Sequence, residues 1–561
     1  YGSGLTLSKV SSVGIPFTTA LRVTSTVGAM NVWDIAFGWY TSGTTEAGDR
    51  LLLSFYARKV SPLDGSSIQG IVLFETRVTQ EKSVYASFPN DGTDWKLYEI
   101  PFQSAGSYSA ASVSVMFHIG TVPQVFEIGG LSVVSYGAAA WPQSTFSFYY
   151  PGRADPSAPW RVAANSRIDT YRKANLTVQV VDSMGQNVVG AFVNISMTRH
   201  AFKFGSCVDA QGIMNGGATD VANYRGVIST LFTCAVLGND VKWPFWEQWA
   251  PWNRMALYDA MAWLDSQSVP VRGHNLIWPN FGDLPPDVQG LNSTALVDRI
   301  SAHFQEILGA LKGRFYDWDV INEPWSSNDI QGRPSLGVSG VSTLPGRLPF
   351  DSLLSWMNMA RTLDNTPRLY INDYNILEGY NRGHALWTVA LMSYTRSTKT
   401  EIDGWGLQSH IGQAPKSIFD LNARLAMFEP YNLSLAITEF DVDMMDQQLQ
   451  ADYTADFTTW AFSQPLINQF VMWGFWEGRH WLPNAALYTL DWQLKPNGRA
   501  FHDLLLKTWW SYVNATTGPA GSFSSRLFKG DYTVQVFTGG LLRKQQTLRV
   551  VSDTVITIRL P

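Results

Sequence analysis

The chain has 561 residues, 45% hydrophobic and 16% charged, with 46 acidic against 41 basic side chains. That length allows two or three domains with ample core, and the apolar share excludes a disordered polyelectrolyte. A formal net charge of -5 offers no basic field for nucleic acid, and no apolar run approaches the roughly 18 residues of a membrane span.

Residues 1–143 read as short alternating strands broken by Gly, Ser and Pro, among them 51–57 (LLLSFYA), 71–75 (IVLFE) and 112–117 (SVSVMF). Regular short strands with turn signals predict a β-sandwich, which resembles in general texture the jelly-roll carbohydrate-binding modules. The chain carries 23 Trp, 22 Tyr and 30 Phe, a surplus suited to stacking on flat, uncharged ligands such as sugars. In this region Trp33, Trp39, Tyr40, Trp95 and Tyr98 either fill the core or present a face of exposed rings. A stretch rich in Pro and small residues, PGRADPSAP, then marks a linker over 144–165. Residues 166–199 alternate again, with Gly185 at a hairpin-like turn, and so do 515–561. Neither fragment has enough strands to bury a core alone. They flank the central segment, so they are expected to combine into one discontinuous β-sandwich.

Residues 200–512 change texture, with short apolar strands alternating with helical stretches. Eight strand candidates fall at 202–209, 234–240, 269–278, 317–324, 368–375, 404–411, 435–442 and 470–477. Eight strand-then-helix units over this length predict a (β/α)8 TIM barrel, whose chemistry sits at the C-terminal strand ends. Those ends carry Asn239, His274, Glu323, Asp373, His410, Glu439 and Trp473. Packing does not explain functional groups closing apolar strand after apolar strand. The fourth strand ends WDVINEP at Glu323 and the seventh AITEFD at Glu439. Strands four and seven face each other across a barrel mouth, so both carboxyls reach one small substrate. Two carboxyls flanking a bond are what glycoside cleavage requires.

From 200 to 510 the chain resembles glycoside hydrolase family 10, the retaining endo-β-1,4-xylanases. The resemblance rests on DWDVINEP and AITEFDV, supported by VRGHNLIW, GLQSH and VMWGFWEG in the same order. It implies Glu323 as general acid/base and Glu439 as nucleophile, with Asp441 orienting His410 and His410 bonding Glu439. It further implies that Asn322 holds the sugar 2-hydroxyl, that Asn239, Lys242, His274, Trp278 and Gln408 grip the sugar, and that Trp473 and Trp481 are ring platforms. Tyr374 and Trp476 are further cleft residues by position, whereas Trp243, Trp246, Trp249 and Trp252 read as core. The chain departs from the family at Gly238, where a Glu is usual, and at Pro279, Asn280 and Phe281 after Trp278.

The expected activity is endo-xylanase. Transglycosylation, another β-1,4-glycan as substrate, and a non-catalytic polysaccharide-binding protein are the alternatives. The expected partner is xylan or a related plant cell-wall polysaccharide, with no nucleic acid, no membrane and a monomeric state. The eight histidines show no metal-ligand spacing, and no dinucleotide or phosphate-loop motif occurs, so neither metal nor cofactor is expected. The two cysteines, Cys207 and Cys234, either pair or stay as buried thiols. The chain starts at Tyr1 without initiator Met or leader, and Asn175, Asn194, Asn292, Asn432 and Asn514 are glycosylation sequons. A processed secretory protein and a trimmed chain both start this way, and a chain rich in Asn, Ser and Thr carries several sequons by chance. The expected secreted, extracellular location therefore does not rest on these features alone.

Overall fold

A computed structural model describes residues 1–63, 66–90, 92–139, 150–153, 155–248, 252–327, 329–332, 348–412 and 415–561. Trp249 and the junction at 143/144 lie outside them, as do the side chain of Trp252 and Ala154 of the linker stretch.

The N-terminal region folds into two antiparallel sheets. One orders its strands Leu5–Ser11, Thr19–Ser25, Gln124–Ser135, Arg50–Ser61 and Lys96–Gln103; the other orders Ala36–Tyr40, Val113–His118, Ile71–Thr76 and Lys82–Ser87. Inward residues alternate along each strand, and Phe55, Phe88, Phe117 and Phe126 meet between the sheets. Of the five rings singled out in this region, Tyr98 is buried, while Trp33, Trp39 and Tyr40 are exposed.

Where a linker is expected, Pro159–Arg172 forms a helix, opened by a proline at its first position. It is held by packing on the helix Gln447–Ser463: Arg161 pairs with Asp456, and Arg172 donates to the carbonyls of Phe462, Gln464 and Ile467. The strands on either side of Gly185, Lys173–Val181 and Phe192–His200, do not form one hairpin; they enter different sheets. Lys173–Val181 lies between Ser522–Phe528 and Thr554–Arg559, and Phe192–His200 lies between Tyr512–Thr516 and Gly530–Thr538. Both strands bury alternate residues: Leu176, Val178 and Val180 on one, Val193, Ile195 and Met197 on the other. Two sheets built from the segments on either side of the barrel therefore enclose one apolar layer.

The central segment is a closed parallel barrel. Its strands are β1 Lys203–Val208, β2 Cys234–Leu237, β3 Val271–Ile277, β4 Asp317–Asn322, β5 Arg368–Asp373, β6 Gly404–Leu407, β7 Ser434–Val442 and β8 Ile467–Met472. Neighbours pair in order, and β8 returns to β1 to close the ring. All eight expected strands are present; the eighth starts three residues earlier than expected and stops at Met472. Strands covered on both faces read as unbroken apolar runs, as β2 (CAVL) does. The barrel floor is an exception. There Arg272 pairs with Asp317 and Asp319, and Arg368 with Asp317; Arg272 and the two carboxylates are buried in the strand layer, while Arg368 stays partly exposed. Both cysteines are free thiols. No described helix is long and apolar enough to cross a membrane.

Candidate active site

Three strand ends at the C-terminal mouth hold non-glycine residues in the left-handed region: Glu323 after β4 (φ 51), Asn375 after β5 (φ 55) and Ser409 after β6 (φ 67). Such backbone is costly and persists where the surroundings hold it. The mouth supplies the holding: Glu323 N donates to Asn372 O at 2.8 Å and Glu439 N to Gln408 O at 3.0 Å. The backbone of each glutamate is thus held by the strand beside it.

A chain of amides joins them. Gln408 Nε2 donates to Glu323 Oε1 at 3.0 Å and to Asn322 Oδ1 at 3.3 Å. Asn372 Nδ2 donates to Asn322 Oδ1 at 2.9 Å and to Glu439 Oε1 at 2.7 Å, while Thr438 donates to Asn372 Oδ1 at 2.6 Å. An added Cβ at Gly406 would stand 2.2 Å from Asn372 Oδ1, so glycine is required there for the amide to reach. On the far side of Glu439, His410 Nε2 lies 3.3 Å from Oε2, and His410 Nδ1 lies 2.9 Å from Asp441 Oδ1. The second contact is an ion pair and not an aligned hydrogen bond.

The two carboxyls titrate in opposite directions. Burial, reinforced by Asp373 and Glu439, pushes Glu323 up to about 8 against the donation from Gln408. Burial alone would also raise Glu439, but His274, the His410 hydrogen bond and Lys242 outweigh it and hold it below the ordinary carboxylate range. Burial would lower His410, yet Asp441 and Glu439 raise it well above the usual imidazole value. At neutral pH the arrangement presents a protonated carboxyl facing a carboxylate braced by an imidazolium.

The other predicted residues divide. Lys242 Nζ bonds Asn239 Oδ1 at 2.9 Å and sits 5.1 Å from the centre of the Trp278 ring, so these three make one flank. His274 Nδ1 lies 3.0 Å from Asp319, 3.9 Å from Glu439 Oε1, and its ring meets Trp473 edge-on at 5.0 Å. Trp481 is 58% exposed, as a platform requires, and its Nε1 also donates to Asp441 Oδ2 at 2.8 Å. Gln408 is 1% exposed and its amide is engaged with Glu323 and Asn322. Tyr374 follows β5 at the edge of the mouth beside His384. Trp476 stacks on Trp492 at 4.6 Å and meets Tyr224 edge-on at 6.4 Å, so its ring is engaged in packing. Trp243 and Trp246 are buried core, as expected. At Gly238, Cys207 Sγ stands 2.4 Å from where a Cβ would be, so the thiol fills the space beside this position.

Asn372 is the residue that sequence reasoning does not single out, and Asp373 is named there only as a strand-end group without a role. Asp373 is fully buried, accepts from Trp325 N and Tyr374 N, and is joined to His384 Nε2 at 3.0 Å. The signal was two adjacent polar residues closing the apolar strand RLYIND. Among the described residues no group of three or more metal-ligating side chains converges.

Residues 194–503 match the family model described as glycosyl hydrolase family 10. The chain is 30% identical over 397 residues to the anti-sigma-I factor RsgI6 of Acetivibrio thermocellus, covering 70% of this chain and 48% of that protein. It is 24% identical over 379 residues to endo-1,4-beta-xylanase 3 of Arabidopsis thaliana, covering 66% of this chain and 47% of that protein. The chain thus spans about half the length of these two relatives. Among solved structures, xylanase 10B of Thermotoga petrophila aligns with a TM-score of 0.47 at 21% identity, over 55% of this chain and 94% of that one.

Proposed function

The chain belongs to glycosyl hydrolase family 10, and on that premise we propose that it is an endo-β-1,4-xylanase cleaving internal bonds of xylan with net retention. The observation that carries the reading is the pair of carboxyls, Glu323 and Glu439, linked across the barrel mouth through Gln408, Asn322 and Asn372. In the first step the Glu439 carboxylate attacks the anomeric carbon while Glu323 gives its proton to the departing glycosidic oxygen. The C–O bond breaks and a glycosyl ester forms on Glu439. Esterification removes the charge of Glu439, so Glu323, now ionised, takes a proton from water, which attacks the same carbon and releases the sugar. His410 and Asp441 keep Glu439 ionised and oriented. Lys242, Asn239, His274 and Trp278 grip the sugar on the donor side, and Asn322 reads its 2-hydroxyl.

The N-terminal sandwich acts in this reading as a carbohydrate-binding module that raises the local concentration of the barrel on insoluble polymer. A cavity of about 560 Å³ at its rim, bordered by Trp39 (43% exposed) and Tyr40 (61% exposed), supports it. The protein is proposed to be a secreted monomer, since its substrate is an extracellular polymer.

The test is the stereochemical course on soluble xylan, followed by the anomeric proton signals for the wild type and Glu439→Ala. Early β-anomer from the wild type and none from the variant is the expected result. Tight glycan binding with no turnover by the wild type would return the binding-only alternative.

A further inference from the structure

The N-terminal sandwich does not hang free of the barrel. Its four-stranded sheet turns Ile71 and Leu73, both fully buried, onto Tyr380 in the segment after β5, with Val32 beside them. Polar ties fix the docking: Gln69 Nε2 donates to Asp420 at 3.1 Å, Ser67 bonds the same carboxylate, and Gly383 N donates to Met30 O at 2.8 Å. Tyr85 stands directly opposite Leu73 in the register, so it shares the barrel-facing side of that sheet. Trp33 lies in the one-turn helix Val32–Asp34 at the same seam.

Between the two bodies is a cavity of about 390 Å³, a size in the range of small-ligand sites. Trp33 and Tyr85 line it from the sandwich, and Tyr374, Glu378, His410 and Lys416 from the barrel. Both sandwich rings are 48% exposed, so each keeps a free face. Glu378 is 91% buried by its 9% exposure, and while its Oε1 accepts from Asn375 N at 2.7 Å, its Oε2 is without a partner among the described residues. Lys416, 3% exposed and lowered by burial to a pKa of about 7, brings a buried amine against the Tyr380 ring. Aromatic walls with one unsatisfied carboxyl oxygen and one buried amine suit a ligand with apolar C–H faces and several hydroxyls.

Position decides which sugar units reach it. Asn239, Lys242 and Trp278 come from the ends of β2 and β3, on one side of Glu323. The cavity opens beside His410, from the segments after β5 and β6, on the other side. Glu323 protonates the oxygen leaving toward that second side.

We propose that Trp33 and Tyr85 of the N-terminal sandwich, with Glu378 and Lys416 of the barrel, form a distal acceptor-side subsite, so that two domains together hold a β-1,4-linked chain running past His410. This rests on the endo-xylanase reading of the barrel. It gives the sandwich a direct part in choosing which bond is cut.

The experiment measures kcat/KM and bond-cleavage pattern on xylo-oligosaccharides of two to six units and on an aryl xylobioside, whose leaving group is too short to reach the seam. Trp33→Ala and Tyr85→Ala should each cost about threefold to tenfold on the longest substrate and shift its cleavage position. They should leave the aryl xylobioside unchanged, and Trp33→Tyr and Tyr85→Phe should restore the pattern. Both rings are half-exposed, so folding is not at stake; unchanged melting temperatures check this. A wild type that cleaves these substrates while the alanine variants keep its full length dependence overturns the subsite alone. So does an equal loss on long and short substrates. A wild type that cleaves none of them overturns the underlying reading as well.

Discussion

At the end of β4, Glu323 meets a second carboxylate, Asp373, and a single amide donor from Gln408. At the end of β7, Glu439 meets His410, His274, the amide of Asn372 and the field of Lys242. The two residues are the same amino acid at the mouth of one barrel, and burial raises both. The neighbours decide the outcome: like charge adds to burial at β4, and opposite charge overcomes it at β7. One barrel mouth thus holds a carboxyl that keeps its proton and a carboxylate that does not, from identical side chains.

The largest test of that contrast removes each carboxyl in turn. Glu439→Ala should lower kcat by on the order of 10⁴-fold or more for every substrate, since no group replaces the attacking atom. Glu323→Ala should cost about 10²–10⁴-fold on xylan but far less on an activated aryl xylobioside, whose leaving group needs no proton. Equal losses on both substrates would erase the distinction between the sites.

Next in size is the pH profile. Glu323 must carry a proton for the first step, and its pKa is raised to about 8. Its acid form is therefore present below that value, and kcat/KM should fall as pH rises through about 8. Glu439 must be ionised and its pKa is depressed, so the acid limb should lie below the ordinary carboxylate range. A profile with both limbs at ordinary carboxylate values would contradict the opposed environments.

Asp373→Asn sharpens the comparison from the β4 side. Removing that charge should move the alkaline limb toward acid by roughly one pH unit while leaving the acid limb in place. The smallest expected effect is at the β7 side. Trp481→Phe keeps the ring but deletes the donor to Asp441, and should cost about threefold to tenfold in kcat/KM. Its His410 should titrate at a changed pH by proton NMR, because Asp441 would no longer be held.

Local chemistry made much of this molecule readable in the chain. Apolar strands closed by Asn239, His274, Glu323, His410 and Glu439 announced both the barrel and its mouth, because period and strand-end polarity are properties of contiguous residues. The pairing of Lys173–Val181 and Phe192–His200 with strands more than three hundred residues away was anticipated from their shortage of partners, but their separation into two sheets was not. Tertiary structure alone decided that Asn372 bridges to Glu439, that Trp476 turns to Trp492, and that a helix occupies Pro159–Arg172. It also decided that Tyr380 meets Ile71 and Leu73 across the domain seam. The physical reason is common to all four: each depends on which distant groups a side chain meets in space, and neither residue type nor spacing encodes that meeting.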